Sequence, residues 1–217
     1  MINKAMFKIF IKKSPLQRGL FLYLRKQYFC YNFIVVVKPK ILLSEKKVTA
    51  ILKRLCHQLI ERHGDFSNSI LIGIQPRGVL LLDQIIRLLK EENIREIKYG
   101  KLDVTFFRDD FRRKEKPLNA NSTEMNEMVE GKKVVFIDDV LFTGRSIRSA
   151  LTAIDTYGRP KSIELLVLVD RRFSRHLPIQ PDYLGAQIDA IQGDRVRVVW
   201  SKGSIKCLVY LEEKINE

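Results

Sequence analysis

Cysteine is scarce and unpatterned in this chain of 217 residues: Cys30, Cys56 and Cys207 lie far apart and form no C-x-x-C pair. An odd, scattered trio argues against a disulfide framework and a cysteine zinc site, and it fits a reducing compartment such as the cytoplasm. Histidine is equally sparse. His57, His63 and His176 show no metal-ligand spacing, so no metal held by protein ligands alone is expected. Long hydrophobic runs are missing: the apolar stretch Tyr28–Val37 is too short to span a bilayer, and no membrane partner is expected. Repeats and low-complexity segments are missing too.

Acid is absent from residues 1–40, which carry nine Lys or Arg and no Asp or Glu. The formal charge of +14 therefore divides into +9 on this segment and +5 on residues 41–217. The remainder is only mildly basic, and charge alone is poor evidence for a nucleic-acid partner. The basic segment reads either as a targeting sequence or as translated upstream sequence joined by a wrong start. The second is preferred, because periodic structure begins only near Pro39. Residues 1–40 are thus expected to be an extension, disordered or artefactual, ahead of one domain over residues 41–217.

What is present is a succession of helical and extended patterns. Ser44 to Gly64 reads as an amphipathic helix with a plausible N-cap. Ser69–Ile74 is a short apolar strand, followed by Gln75-Pro76-Arg77-Gly78 and a helix to about Lys90. Ile97–Phe107 alternates as a strand does, with Asp103 near its end. Arg108–Gly131 is polar, charged and without periodicity, long enough to serve as a functional lid. A second strand–helix pair spans Val134 to Tyr157, stopped by Gly158-Arg159-Pro160, and Ile163–Val169 is a further buried strand. After Asp182 come short strands, clearest at Arg195–Trp200 and Ile205–Leu211. Strands alternating with helices predict an α/β fold with a doubly wound parallel sheet, topped by a small C-terminal β hood.

The most informative stretch runs from Val134 to Ser146. An apolar strand reaches two adjacent carboxylates, Asp138 and Asp139; Val140, Leu141 and Phe142 follow, and Thr143-Gly144-Arg145-Ser146 opens a helix. A loop and helix N-terminus offer backbone N–H groups, hydroxyls and a positive dipole end, which suits a phosphate. Carboxylates beside that cradle make sense only if the ligand also carries hydroxyls or brings a cation, as a sugar phosphate does. An ordinary strand–turn–helix is the plainer alternative, since Asp and Gly are common in turns. Arg77 and Arg108, in the loops after two other strands, suit a ligand with phosphate at both ends. The sheet edge would gather all these loops.

The thirteen-residue pattern resembles the phosphoribosyl-pyrophosphate (PRPP) signature of type I phosphoribosyltransferases. The resemblance narrows with Ile72-Gly73-Ile74-Gln75-Pro76-Arg77-Gly78, Leu102-Asp103-Val104-Thr105-Phe106-Phe107-Arg108-Asp109-Asp110, Val169-Asp170-Arg171, Leu177-Pro178-Ile179 and Asp182-Tyr183-Leu184-Gly185. Together these are similar to the PyrR family of bifunctional pyrimidine-operon regulators and uracil phosphoribosyltransferases, colinearly from about Leu43 to Leu211. The resemblance implies that Asp138 and Asp139 hold the ribose hydroxyls and support charge developing on the ribose. It places Val140 to Ser146 on the sugar and its 5′-phosphate, Pro76, Arg77 and Gly78 on the pyrophosphate with Arg108, and Arg171 and Val196 beside the pyrimidine. It implies magnesium brought in with PRPP, the ligands uracil and UMP, and a homo-oligomer. Lys53, Arg54, His57 and Arg62 resemble the family's RNA-contacting set, which implies a pyrimidine-operon mRNA leader as a further partner.

Three departures stand out. Pro76 replaces a residue that is often polar in the family, making a cis Gln75–Pro76 bond more accessible. Arg171–His176 is one residue longer than its counterparts, and Gln180 and Ala186 stand where known regulators carry basic groups. Two alternatives to the bifunctional enzyme stay open: an RNA-binding attenuator with little catalysis, and a phosphoribosyltransferase for another base.

Overall fold

The computed structural model describes residues 40–109, 120–125, 127–189, 195–200 and 207–212. The basic extension through residue 39, and residues 110–119 and 126 of the expected lid, lie outside the described residues.

Five strands form one parallel sheet: β2 (Ser69–Ile74), β3 (Lys98–Leu102), β4 (Lys133–Leu141), β5 (Ser162–Arg172) and β6 (Tyr183–Asp189). Their spatial order is β3-β2-β4-β5-β6, with every pairing parallel. The winding reverses between β2 and β4, so the loops leaving those two strands diverge and open a crevice at their C-terminal ends. Helices α1 (Glu45–His63) and α2 (Gly78–Glu91) cover one face, and α3 (Arg145–Ile154) covers the other. β2 is buried at all six positions, as its unbroken apolar run requires of a central strand flanked on both faces.

Alternate residues of each strand feed two separate cores. Leu71, Val135, Ile137, Leu166 and Leu168 pack with α1 and α2, while Ile70, Ile72, Val134, Phe136 and Val167 pack with α3. Leu52, Leu55 and Leu59 of α1 recur at helical spacing and are fully buried, which accounts for the amphipathic pattern from Ser44 onward.

A second, antiparallel sheet has the order β1-β8-β7, from β1 (Lys40–Leu43), β7 (Arg195–Trp200) and β8 (Cys207–Glu212). The hood is therefore not purely C-terminal: Lys40 pairs with Leu211, and β1 supplies its outer strand. β6 belongs to the main sheet rather than to the hood.

Among the boundaries that move, two lie beside the crevice. The strand expected over Ile97–Phe107 stops at Leu102, where its partner β2 also ends, and Thr105–Phe107 is a 3-10 turn. β4 runs on through Asp138 and Asp139 to Leu141, because β5 continues beside it as far as Asp170. The carboxylates thus stand on the last rungs of a paired strand rather than in a free loop.

Among the described residues, no helix is long and apolar enough to cross a membrane.

Candidate active site at the reversal of the sheet

β4 carries Asp138 and Asp139 to the crevice. Their side chains point to opposite faces of the strand, yet the Asp139 N–H donates to Asp138 Oδ1 at 2.9 Å, folding one carboxylate back toward its neighbour. Asp139 is 4% exposed, and its Oδ2 has no hydrogen-bond donor among the described residues. The nearest cation is Arg77, whose Nη1 stands 3.9 Å from that oxygen. Burial, reinforced by the charge of Asp139, holds the Asp138 carboxyl well above the usual carboxylate range. Burial raises Asp139 as well, with Arg77 opposing it. Two adjacent carboxylates held this way form a proton-retentive, electronegative spot that a hydroxylated or cation-carrying ligand would relieve.

The turn between β2 and α2 reaches the same spot because of one glycine. A Cβ on Gly78 would lie 2.2 Å from the Ile137 carbonyl oxygen and 3.2 Å from Asp138 Cα, so only glycine lets α2 start against β4. The preceding Gln75–Pro76 peptide is cis, and Pro76 and Arg77 are exposed at the crevice.

After β4, Phe142, Thr143 and Gly144 turn the chain into α3. Gly144 has φ +88°, a left-handed conformation that a side chain would strain. The first N–H groups of α3, beginning at Arg145, have no partner within the helix, and Thr143 Oγ accepts only a long 3.4 Å bond from Arg145 N. The guanidinium of Arg145 turns outward: with Arg148 it grips Asp109, at 2.8 and 3.1 Å. Ser146 is half-buried at the helix start. Leu141 is 2% exposed in the α3-side core, so a ligand would meet it only through its backbone, and Val140 packs into the opposite core.

The two expected base-side residues, Arg171 and Val196, are both buried. Arg171 is 6% exposed, with its guanidinium carbon 4.1 Å from the Phe142 ring centroid. Val196 of β7 is buried in the same apolar cluster as Val140. Arg108 is half-buried at the end of the 3-10 turn, its N–H 3.4 Å from the Thr105 carbonyl.

The helix set is more divided. Lys53 and His57 are exposed on the outer face of α1. Arg54 donates at 2.8 Å to both the Leu184 and Gly185 carbonyls of β6, and Arg62 pairs with Glu164 at 3.2 Å. The two arginines therefore also clamp α1 to the edge of the sheet.

Residues outside the sequence expectation support the site. Asp103, 8% exposed, accepts N–H bonds from Thr105 (2.7 Å) and Asn121, drawing together the two ends of the segment between them. Lys101 and Glu124 pair through both backbone bonds at 2.9 Å, and Gln75 Nε2 reaches the Ser122 carbonyl at 2.7 Å. This neck fastens the loop bearing Arg108 to the loop bearing Arg77. The sequence signals only a buried-type Asp after a strand; Thr105 is a local partner, but Asn121 and Thr123 lie some twenty positions on and leave no local pattern.

Among the described residues, no group of three His, Cys, Asp or Glu could hold a metal ion. The paired carboxylates, one with an undonated buried oxygen, fit a cation that arrives on a ligand and keeps its waters.

Comparison with known proteins agrees with this geometry. Residues 40–200 match a family described as the phosphoribosyl transferase domain. The bifunctional protein PyrR of Clostridium novyi is 38% identical over 175 residues, covering 80% of this chain and 97% of that protein. The bifunctional protein PyrR of Microcystis aeruginosa is 41% identical over 157 residues, covering 72% and 88%. In fold, the hypoxanthine phosphoribosyltransferase of Trypanosoma cruzi superposes with a TM-score of 0.59 at 17% identity, over 78% of this chain and 95% of that one. The loops at the reversal of the sheet and these matches together place the chain in the phosphoribosyl transferase family, among the bifunctional PyrR proteins.

Proposed function

We propose that the chain transfers phosphoribose from PRPP to uracil, making UMP and pyrophosphate, and that it also binds the RNA leader of pyrimidine genes in response to nucleotide. The observation that carries the enzymatic reading is the meeting of Asp138 and Asp139 with the Arg77 turn on one side and the Phe142–Ser146 turn on the other. A diphosphate end and a 5′-phosphate end would then flank the ribose hydroxyls.

In this reading Asp138 and Asp139 hold the ribose hydroxyls, and their charge stabilises the oxocarbenium-like ribose as the bond to pyrophosphate lengthens. Thr143 to Ser146 hold the 5′-phosphate through backbone N–H groups and hydroxyls. Pro76, Arg77 and Gly78, with Arg108, receive the leaving pyrophosphate, while Arg171 and Val196 border the base. Magnesium brought in with PRPP would supply positive charge against the phosphates, and Asp138 and Asp139 would hold it through its waters. No covalent intermediate is required, since positioning and electrostatics suffice for a dissociative transfer.

For RNA, the exposed Lys53 and His57 offer the contact, with Arg54 and Arg62 able to contribute where their guanidinium groups remain open to solvent. Gln180 and Ala186 add no charge, so the salt dependence of binding is shallow compared with a fully basic face. The reading puts the protein in the cytoplasm as a homo-oligomer, with residues 41–217 as the phosphoribosyltransferase domain. The basic extension ahead of β1, which begins at Lys40, is dispensable to it.

The test is pyrophosphate release from PRPP and magnesium with uracil, hypoxanthine or orotate supplied in parallel. Release dependent on uracil alone is the expected result. Release dependent on hypoxanthine or orotate instead would replace the proposed substrate, and release with none would leave the RNA-binding attenuator as the surviving reading.

A further inference from the structure

The crossover from β5 to β6 packs on the Phe142–Gly144 turn. Asp170, at the end of β5 and 6% exposed, pairs with Arg175 Nη2. The other arm of the same guanidinium, Nη1, donates to the Phe142 carbonyl. One residue on, the His176 N–H donates to the Thr143 carbonyl at 3.1 Å. Arg171 lies on the Phe142 ring, and Leu177 and Ile179 approach the space beside Gly144.

These two carbonyls belong to consecutive peptides. A trans peptide is planar with its N–H opposite its C=O, so fixing a carbonyl fixes the N–H across the plane. Arg175 thereby sets the direction of the Thr143 N–H, and the His176 backbone sets that of the Gly144 N–H. Both N–H groups are turned away from the crossover that holds their carbonyls. Two consecutive donors oriented in this way form an anion-binding concavity at the start of α3.

We infer that Arg175 is a positioning residue for the phosphate-holding turn, acting through the Phe142 carbonyl with Asp170 as its anchor. The inference rests on the reading of Thr143–Ser146 as the holder of a 5′-phosphate. In this role the Arg175 guanidinium acts through the turn rather than on the phosphate itself. It keeps a backbone donor preset, so that binding does not have to order the turn. A fork with two arms is needed because one arm must grip the sheet while the other grips the turn.

The inference predicts a selective defect. UMP and PRPP carry the 5′-phosphate, whereas magnesium pyrophosphate does not. In Arg175→Ala, calorimetric titration should show UMP binding weakened about tenfold, the size expected from losing a charge-assisted hydrogen bond. KM for PRPP should rise in parallel, with pyrophosphate affinity unchanged and kcat altered less than KM. Arg175→Lys, with one donor nitrogen where two spread apart are used, should fall between wild type and Arg175→Ala, and it carries the test if the alanine variant fails to fold. Arg172→Ala, whose guanidinium pairs with Asp189 instead, should leave all three values as in wild type. Equal weakening of UMP and pyrophosphate, or a lower melting temperature with unchanged UMP affinity, would overturn the inference. Wild-type protein that binds pyrophosphate but not UMP would instead remove the reading of the turn on which it rests.

Discussion

In the proposed reading Asp138 and Asp139 trade stability for chemistry. Their carboxyl groups bind protons more tightly in the folded chain than in the unfolded one. Their contribution to stability is therefore greatest below the ordinary carboxylate pKa and is lost as pH rises through the raised folded values. At neutral pH the buried charges are a cost, so Asp138→Asn should raise the melting temperature, with the gain shrinking toward pH 4. The same substitution should lower turnover, and the acid limb of the wild-type rate profile should fall above the usual carboxylate range. Thermal scans and pH–rate profiles on both proteins check the pair of outcomes; a destabilised Asp138→Asn would contradict the account. A second buried network lies at the opposite edge of the sheet. Tyr183 donates to Glu164 at 2.6 Å and stands 3.0 Å from His63 Nε2, whose Nδ1 stands 2.8 Å from Ser69 Oγ. Neutral His63 satisfies every member if Nε2 carries the proton, and burial lowers its pKa. Tyr183→Phe removes one donor to Glu164, which keeps Arg62 and His63 Nε2 at 3.2 Å, and should cost about 1 kcal/mol in denaturant titration, with no change in KM for PRPP.

At the scale of elements, the neck at Asp103 joins the loop of Arg108 to that of Arg77. Asp103→Asn replaces one acceptor with a donor facing an N–H, so one end of the segment loses its tie. KM for PRPP should rise several-fold and amide exchange at Thr105 and Asn121 should quicken; unchanged exchange at both would contradict the neck. Gly78→Ala should cost about 1–3 kcal/mol and lower turnover, because β4 backbone must yield to the new methyl group. The alternation of strands and helices was legible from periodicity, and β2 and β7 match their expected spans to the residue. β1 was not: a four-residue edge strand has too few positions to show a period, and its partner lies at the far end of the chain. The Asp138–Asp139 and Thr143–Ser146 constellation was legible because its chemistry is contiguous. The tie of Asp103 to Asn121 and that of Arg175 to Phe142 were not, because each uses a backbone group distant in sequence, and a backbone group carries no sequence signature.

For the whole molecule, the described fold begins at Lys40 in β1. A chain starting near Lys38 should therefore fold, melt at a temperature close to that of the full chain, and retain activity; loss of folding would show residues 1–37 to be structural. RNA binding belongs to this scale as well, because the exposed α1 face and the nucleotide crevice lie on different elements of one domain. UMP should tighten binding of a pyrimidine leader hairpin, and Lys53→Ala/His57→Ala should abolish that response. Binding indifferent to both changes would mark non-specific attraction, to which the +9 segment contributes.

The central claim is that the adjacent carboxylates of Asp138 and Asp139 stabilise charge on a ribose flanked by two phosphate-holding turns. Uracil-dependent pyrophosphate release, measured side by side for wild type and Asp139→Asn with magnesium and PRPP, tests it most directly. The account predicts steady release by wild type and a fall on the order of a hundredfold in kcat for the folded variant. Equal turnover by the two proteins would contradict it.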